Sequence, residues 1–181
     1  MTEVVKAKVC IIGEASVGKT SLVRRFVHDE FDDRYVATLG AKVSKKELDV
    51  RTGDGEIRVL ITLWDIMGEE SFRELLKEPY FTNTRGIVAV ADLTRPATVA
   101  ALSAWIDAAQ GVAGPVPLVL FGNKVDLRPT AGAEAALAEH AGSRDAPWYR
   151  TSAKTGENVE SAFAGLAAAI VGGLRPHRPG P

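Results

Sequence analysis

The sequence predicts an α/β fold, a three-layer sandwich around a six-stranded and mostly parallel sheet. Short apolar, β-branched runs recur along the chain, and near-continuous hydrophobicity is typical of strands buried on both faces of a parallel sheet. Segments with helical periodicity lie between several of these runs. The first run leads directly into a Gly-rich turn at residues 13–20, which indicates a strand, a loop and then a helix.

The strands follow from the apolar runs, which in chain order are 4–12, 41–50, 56–64, 87–93, 116–122 and 148–152. Segments 41–50 and 56–64 flank Arg-Thr-Gly-Asp-Gly, which is a hairpin signal. We therefore expect 41–50 to be an antiparallel strand at one edge of the sheet.

Four helices are predicted between these strands. Segment 21–27 follows the Gly-rich turn, and 131–141 is Ala-rich, a composition with high helix propensity. Segments 98–110 and 158–174 carry apolar residues at steps of three and four, which is the periodicity of an amphipathic helix. Those apolar positions are Val99, Leu102, Ile106 and Ala109 in the first, and Val159, Phe163, Leu166 and Ile170 in the second.

Composition narrows the classes of partner. The 22 Lys and Arg residues nearly balance the 23 Asp and Glu residues, so no basic field indicates nucleic acid or an anionic membrane. Cys10 is the single cysteine and cannot form an intrachain disulfide, which favours a cytoplasmic protein. No apolar run approaches the roughly 18 residues of a membrane span, and no cysteine near the end could carry a prenyl anchor.

We expect one domain over 1–174 and a flexible Pro-rich tail over 175–181.

The turn at 13–20 reads Gly-Glu-Ala-Ser-Val-Gly-Lys-Thr, a complete G-x-x-x-x-G-K-[ST] phosphate-binding loop. Gly13 and Gly18 allow the backbone to curl around a polyphosphate. Lys19 can reach the outer phosphates, and the Thr20 hydroxyl can bind Mg²⁺. The expected contacts of this P-loop with a nucleotide are Gly13, Glu14, Ala15, Ser16, Val17, Gly18, Lys19, Thr20 and Ser21.

Two further strands end in polar residues. Asp65 follows the run at 59–64, where a carboxylate could hold Mg²⁺ directly or through water, or could simply cap a helix. The run ending at Gly122 leads into Asn123-Lys124-Val125-Asp126. A carboxylate can accept two N–H bonds from the edge of guanine, and adenine has no such donor pair, so Asp126 predicts guanine selectivity. A backbone N–H in Thr151-Ser152-Ala153-Lys154 could donate to the guanine O6.

Taken together, these motifs resemble the Ras superfamily of small GTPases, which are P-loop NTPases, and most closely its Rab-like branch. The resemblance covers residues 4–172 and includes Thr38, Trp-Asp-x-x-Gly at 64–68, Asn-Lys-x-Asp at 123–126 and Ser-Ala-Lys at 152–154. It implies that GTP or GDP binds along the carboxyl ends of the strands, and that 31–42 and 65–80 are switch I and switch II. The residues that it adds as nucleotide contacts are Phe31, Thr38, Gly68, Asn123, Lys124, Asp126, Leu127, Ser152, Ala153 and Lys154.

Within that resemblance, Thr20, Thr38 and Asp65 would hold Mg²⁺, Phe31 would pack edge-on against guanine, and Lys124 would lie along the face of the base. Without it, Phe31 would be interpreted as an ordinary core aromatic and Thr38 as a turn residue.

Switch II departs from the usual family sequence. The family has Trp-Asp-Thr-Ala-Gly-Gln-Glu, whereas this chain has Trp-Asp-Ile-Met-Gly-Glu-Glu, so Glu69 replaces the glutamine that positions the attacking water. An ionised carboxylate can accept from that water but cannot donate toward the γ-phosphate, and the sign of the net effect on hydrolysis stays open. Lys19, Gly68 and Glu69 are the expected catalytic residues. Arg73 is interpreted as a solvated or partner-facing charge, with a catalytic role as the alternative.

The expected function is a switch that binds GTP and GDP with Mg²⁺, hydrolyses GTP, and acts through protein effectors, an exchange factor and an activating protein. One alternative is a nucleotide-locked binding module with negligible hydrolysis. The other is a P-loop nucleotide kinase, which would need an Arg-rich lid over the acceptor nucleotide that the sequence does not show.

Overall fold

The computed structural model describes residues 3–34, 37–53 and 55–174, without the side chains of residues 70 and 72–76. The predicted tail, 175–181, and the side chain of Arg73 lie outside this description.

The six predicted strands form one sheet. They are β1 (Glu3–Ile12), β2 (Ala41–Thr52), β3 (Gly55–Ile66), β4 (Gly86–Asp92), β5 (Leu118–Asn123) and β6 (Trp148–Arg150). Their order in the sheet is β2-β3-β1-β4-β5-β6, and only the β2–β3 pair is antiparallel. The predicted α/β fold with an antiparallel edge strand is therefore confirmed. Strand β5 begins two residues later than predicted, after Pro117, which has no N–H to donate.

The helices correct the prediction in three places. They are α1 (Lys19–His28), α2 (Glu70–Phe81), α3 (Pro96–Ala100), α4 (Leu102–Ala113), α5 (Ala133–Gly142) and α6 (Val159–Leu174). Segment 98–110 was predicted as one helix, but two helices meet at Ala101, which has a ψ of −16°. Helix α5 starts after Gly132, whose φ of 83° is left-handed, and not at residue 131. Helix α2 was not predicted, and it contains Pro79, a residue with low helix propensity.

The core lies on both faces of the sheet, which explains the near-continuous apolar character of its central strands. Along β1, Ala7, Val9 and Ile11 pack toward α1 and α6, while Cys10 and Ile12 pack toward the face covered by α2 to α5. On the first face, the rings of Phe26 and Phe163 stack with their centroids 4.1 Å apart. No helix in the described ranges is long and apolar enough to cross a bilayer.

The fold brings the predicted site to one edge of the sheet. Strands β1, β3, β4, β5 and β6 are parallel, so their carboxyl ends lie on the same side. Asp65, Asp92 and Asn123 lie at the carboxyl ends of β3, β4 and β5, and the loops after β1 and β6 carry the P-loop and the segment 151–154.

We expect Leu166→Ala to lower the free energy of unfolding by about 2–5 kcal/mol, because the buried Leu166 side chain fills the core under α6. Leu174→Ala, the same change at an exposed position of the same helix, should stay within about 0.5 kcal/mol of the parent. Urea unfolding at one fixed nucleotide concentration measures both values. Equal midpoints for the two variants would contradict this account of the core.

Candidate functional site

The loop between β1 and α1 is the centre of the site. Its backbone turns through left-handed conformations at Gly13 (φ 139°), Ser16 (φ 63°) and Gly18 (φ 101°). A Cβ at Gly18 would overlap the side-chain amide of Asn123, so both the backbone conformation and the close approach require glycine there.

Five successive carbonyl groups of this loop accept hydrogen bonds from side chains. Lys19 Nζ donates to the carbonyls of Gly13 and Glu14, each at 2.8 Å. The other three bonds are Arg95 Nη2 to Ala15 O at 2.9 Å, Lys124 Nζ to Ser16 O at 2.8 Å, and Asn123 Nδ2 to Val17 O at 2.9 Å. A planar trans peptide has its N–H opposite its carbonyl. The N–H groups of residues 16–18 therefore point away from Arg95, Lys124 and Asn123, as an anion-binding loop requires.

Lys19 is a buried cation at the end of this loop. Burial lowers the pKa of its ammonium group to about 8; Asp65 and Glu14 oppose the shift, and the nearby charge of Arg95 adds to it. A phosphate group beside Lys19 would stabilise the charged form that burial disfavours.

Three side-chain oxygens converge next to the loop. Thr20 Oγ1 lies 2.9 Å from Thr38 Oγ1 and donates to Asp65 Oδ2, and Thr38 Oγ1 lies 3.5 Å from that same carboxylate oxygen. Asp65 is only 1% exposed, and its Oδ1 has no hydrogen-bond partner in the described part of the chain. Burial raises the pKa of Asp65 above its usual value, although the bond from Thr20 and the charge of Lys19 oppose that shift.

These residues fit a hard divalent cation. A buried carboxylate with one unpaired oxygen gains from a positive ion, and two hydroxyl groups beside it can act as further oxygen ligands. No cluster of three or more His, Cys, Asp or Glu residues that could hold a metal occurs among the described residues. Oxygen ligands of this kind suit Mg²⁺, which keeps several waters and binds phosphate oxygens.

Switch II lies directly against the P-loop at Gly68. A Cβ at this position would be 2.5 Å from Ala15 N and from Lys19 Nζ, so a side chain could be accommodated only if the loop moved. The preceding residue connects the two switches, because Met67 N donates to the carbonyl of Gly40 at 2.9 Å. Glu69 follows at the start of α2 with an exposed side chain.

The segment after β6 lies beside the loop after β5. The buried Asn123 side chain accepts from Thr151 Oγ1 and from Ala153 N, each at 3.3 Å. Ser152 Oγ donates to Asp126 Oδ1 at 2.6 Å, which orients an otherwise exposed carboxylate. Asp126 therefore presents a fixed acceptor at the rim of the site.

The remaining predicted contacts surround this rim. Leu127 and Lys154 are exposed, and Lys124 has a left-handed backbone (φ 67°) that turns its side chain toward the P-loop. Phe31 is half-buried and packs against the core cluster that includes α1. Ser21 is half-buried in the first turn of α1.

Three contributors to the site were not among the predicted residues. Asp92 is buried at the end of β4, and its carboxylate accepts from both Lys124 (2.8 Å) and Arg95 (3.1 Å). Burial alone would raise the pKa of Asp92, but hydrogen bonds from Lys124 and Thr94 hold that pKa below its usual value. Asp92 comes directly after the apolar residues 87–91, as Asp65 comes after 59–64, so that signal was present in the sequence. Nothing in the local sequence distinguishes Arg95.

The third contributor is Trp105, a buried residue of α4. Its ring is fully buried in the core, and its indole N–H also donates to Glu14 Oε1 at 2.8 Å. The P-loop is thereby tied to helix α4.

Three features define a P-loop nucleotide-binding protein. They are a loop at a helix N-terminus whose carbonyls bond to side chains, a buried lysine, and a carboxylate beside two hydroxyl groups that fits a cation. A profile of the Ras family matches residues 8–172. Ras-related protein Rab-33A of Mus musculus is 36% identical over 169 residues, which cover 90% of this chain and 70% of that protein. Ras-related protein Rab7 of Drosophila melanogaster is 37% identical over 166 residues (88% and 78%), and GTP-binding protein ypt5 of Schizosaccharomyces pombe is 35% identical over 166 (90% and 77%). The chain belongs to the Ras family and is a Rab-like, GTP-binding small GTPase.

We expect Trp105→Phe to lower the free energy of unfolding by about 1–3 kcal/mol, because it removes the donor to Glu14 while keeping most of the buried ring. In a double-mutant cycle, Trp105→Phe and Glu14→Ala together should destabilise the protein by less than the sum of their separate effects. Urea unfolding measures all three variants. Trp148→Phe is the matched control, since that half-buried ring packs elsewhere in the same core. Additive effects of Trp105→Phe and Glu14→Ala would rule out the bond as a stabilising contact.

The pKa of Lys19, near 8 in the free protein, predicts proton uptake when a nucleotide binds. Phosphate favours the charged ammonium, so at about pH 8–9 a part of the free protein must gain a proton on binding. The uptake should grow, and the affinity for GDP should fall, as the pH rises through this range. Calorimetric titrations in buffers of different ionisation enthalpy measure the proton count. A count of zero at about pH 8.5 would show that Lys19 is already fully charged without the nucleotide.

Proposed function

We propose that this chain is a molecular switch that binds GTP with Mg²⁺, hydrolyses it to GDP and phosphate, and reports the bound nucleotide to protein partners through switches I and II. The observation that carries the proposal is the convergence of both switches on the P-loop. Thr38 of switch I lies at Thr20 and Asp65, and Gly68 of switch II lies against Ala15 and Lys19. A phosphate bound at this point would contact both segments at once, so its removal would change both.

The phosphate and metal roles follow from this geometry. Thr20, Thr38 and Asp65 would hold Mg²⁺, whose charge would neutralise the phosphates and the buried Asp65 carboxylate. Lys19 would contact the outer phosphates, and the Gly68 N–H would contact the γ-phosphate when switch II is ordered around it.

Recognition of the guanine base would depend on the oriented carboxylate of Asp126. Asp126, oriented by Ser152, would accept the two N–H groups of the guanine edge, and adenine would leave that acceptor without a donor. The contacts completing the base site would be Phe31, Asn123, Lys124, Leu127, Ala153 and Lys154.

Partner binding is supported by apolar surface next to the switches. Leu39 is 86% exposed, and Val43 on neighbouring β2 is also exposed. Exposed apolar side chains beside a nucleotide-sensitive segment suit effectors, an exchange factor and an activating protein.

Glu69 would orient the attacking water as an acceptor. Its side chain is exposed, yet it directly follows Gly68 at the P-loop, so a rotation of switch II would bring it to the phosphates. An acceptor at this position can draw the proton of the water but adds negative charge beside an anionic transition state, so we expect slow intrinsic hydrolysis.

Single-turnover phosphate release from GTP-loaded protein tests this function. We expect a slow release that EDTA abolishes, because Mg²⁺ would neutralise the charge of the phosphates. Glu69→Gln keeps an acceptor for the water and should retain measurable release, whereas Glu69→Leu should reduce the rate by at least about tenfold. Glu78→Gln, an exposed change on the same helix, should behave as the parent.

No detectable release from the parent would instead make the chain a nucleotide-locked binding module. Identical release rates for the parent and both Glu69 variants would show that Glu69 takes no part in the chemistry.

A further inference from the structure

We propose that Arg95, next to the start of α3, is a positioning residue for the P-loop. Its guanidinium group holds the carbonyl of Ala15, so that the N–H of the same peptide, which belongs to Ser16, faces the bound phosphates. This inference rests on the proposed nucleotide binding at the P-loop.

The contact lies within a continuous series. The carbonyls of residues 13–17 each accept a side-chain hydrogen bond, and four of the five use Lys19, Asn123 or Lys124, which belong to the nucleotide-binding motifs. The carbonyl of Ala15 accepts from Arg95 at 2.9 Å, and no other described side chain donates to it. Because the peptide is planar, loss of this bond frees the Ala15–Ser16 unit to rotate and withdraw its N–H.

Arg95 is itself held in place. Its Nε donates to Asp92 Oδ2 at 3.1 Å, and its backbone N–H donates to the Asp92 carbonyl at 2.9 Å. The other carboxylate oxygen of Asp92 accepts from the backbone and hydroxyl groups of Thr94. The guanidinium therefore spans two acceptors, the buried Asp92 carboxylate and the P-loop, with different nitrogens.

That spanning geometry requires arginine. A lysine ammonium is a compact point charge on a flexible chain and cannot reproduce two separated donors in a fixed plane. An ion pair with Asp92 alone would contribute little, because the Arg95 side chain is 44% exposed. Arg95 thus contributes to function through its hydrogen bond to the carbonyl of Ala15. The positive charge strengthens this bond, and the plane of the guanidinium group fixes its direction.

The test compares Arg95→Ala and Arg95→Lys with the parent. Arg58→Ala is the matched control, because Arg58 also pairs with a carboxylate, that of Asp49, is 46% exposed, and lies on β3 beside the β2–β3 hairpin. The affinities for GDP and for guanosine, which has the base and ribose without phosphate, are measured for all four proteins in the presence of Mg²⁺.

We expect Arg95→Ala to weaken GDP binding by roughly tenfold, the loss of one charge-assisted hydrogen bond, with guanosine binding unchanged. Arg95→Lys should recover less than half of that loss on a logarithmic scale, and Arg58→Ala should match the parent for both ligands.

Two results would overturn the inference. Unchanged GDP binding by Arg95→Ala would show that the loop does not need this bond. An equal loss for guanosine would show that Arg95 acts through Asp92 and Lys124 on the base site, and not on the phosphates. Failure of the parent to bind GDP would instead overturn the proposed nucleotide binding itself.

Discussion

The planarity of the peptide group is the constraint on which this site depends. A loop can present a row of N–H groups to an anion only if the opposite carbonyls find partners elsewhere. Here those partners come from α1, from the loop after β4, and from the last residue of β5 and the one that follows it. They reach the loop because β4 lies beside β1 in the sheet and β5 lies beside β4. The order of the strands thus brings to the loop the side chains that bond its carbonyls, which leaves the N–H groups free to bind an anion.

The same site holds charges that the fold alone does not stabilise. Burial lowers the pKa of Lys19 and raises that of Asp65, so each group is disfavoured in the form that would bind a ligand. A polyphosphate with a divalent cation supplies the opposite charge to both. The free protein therefore keeps an electrostatic cost that the proposed ligands would remove, which favours tight binding without a large interface.

Sequence patterns predicted the strands and the motif residues because these depend on local composition and spacing. They did not predict α2, where Pro79 obscures the helical pattern, or the division between α3 and α4 at Ala101. They also missed Arg95 and the bond from Trp105 to Glu14, which join residues 80 and 91 positions apart. Such contacts depend on how elements pack, and neither periodicity nor motif spacing contains that information. The catalytic role of Glu69 stays a prediction.

The two outer strands of the sheet differ in a way that bears on the solubility of the protein. An unpaired strand edge is a template for intermolecular pairing and aggregation. At one border, β6 has only three residues and offers little backbone to a second chain. At the other, β2 extends over twelve residues, and its exposed positions include Lys42, Lys45, Glu47, Asp49 and Arg51. These charged side chains oppose strand pairing along most of β2. At the exposed Val43, the desolvation penalty for the addition of a strand from another polypeptide would be smallest.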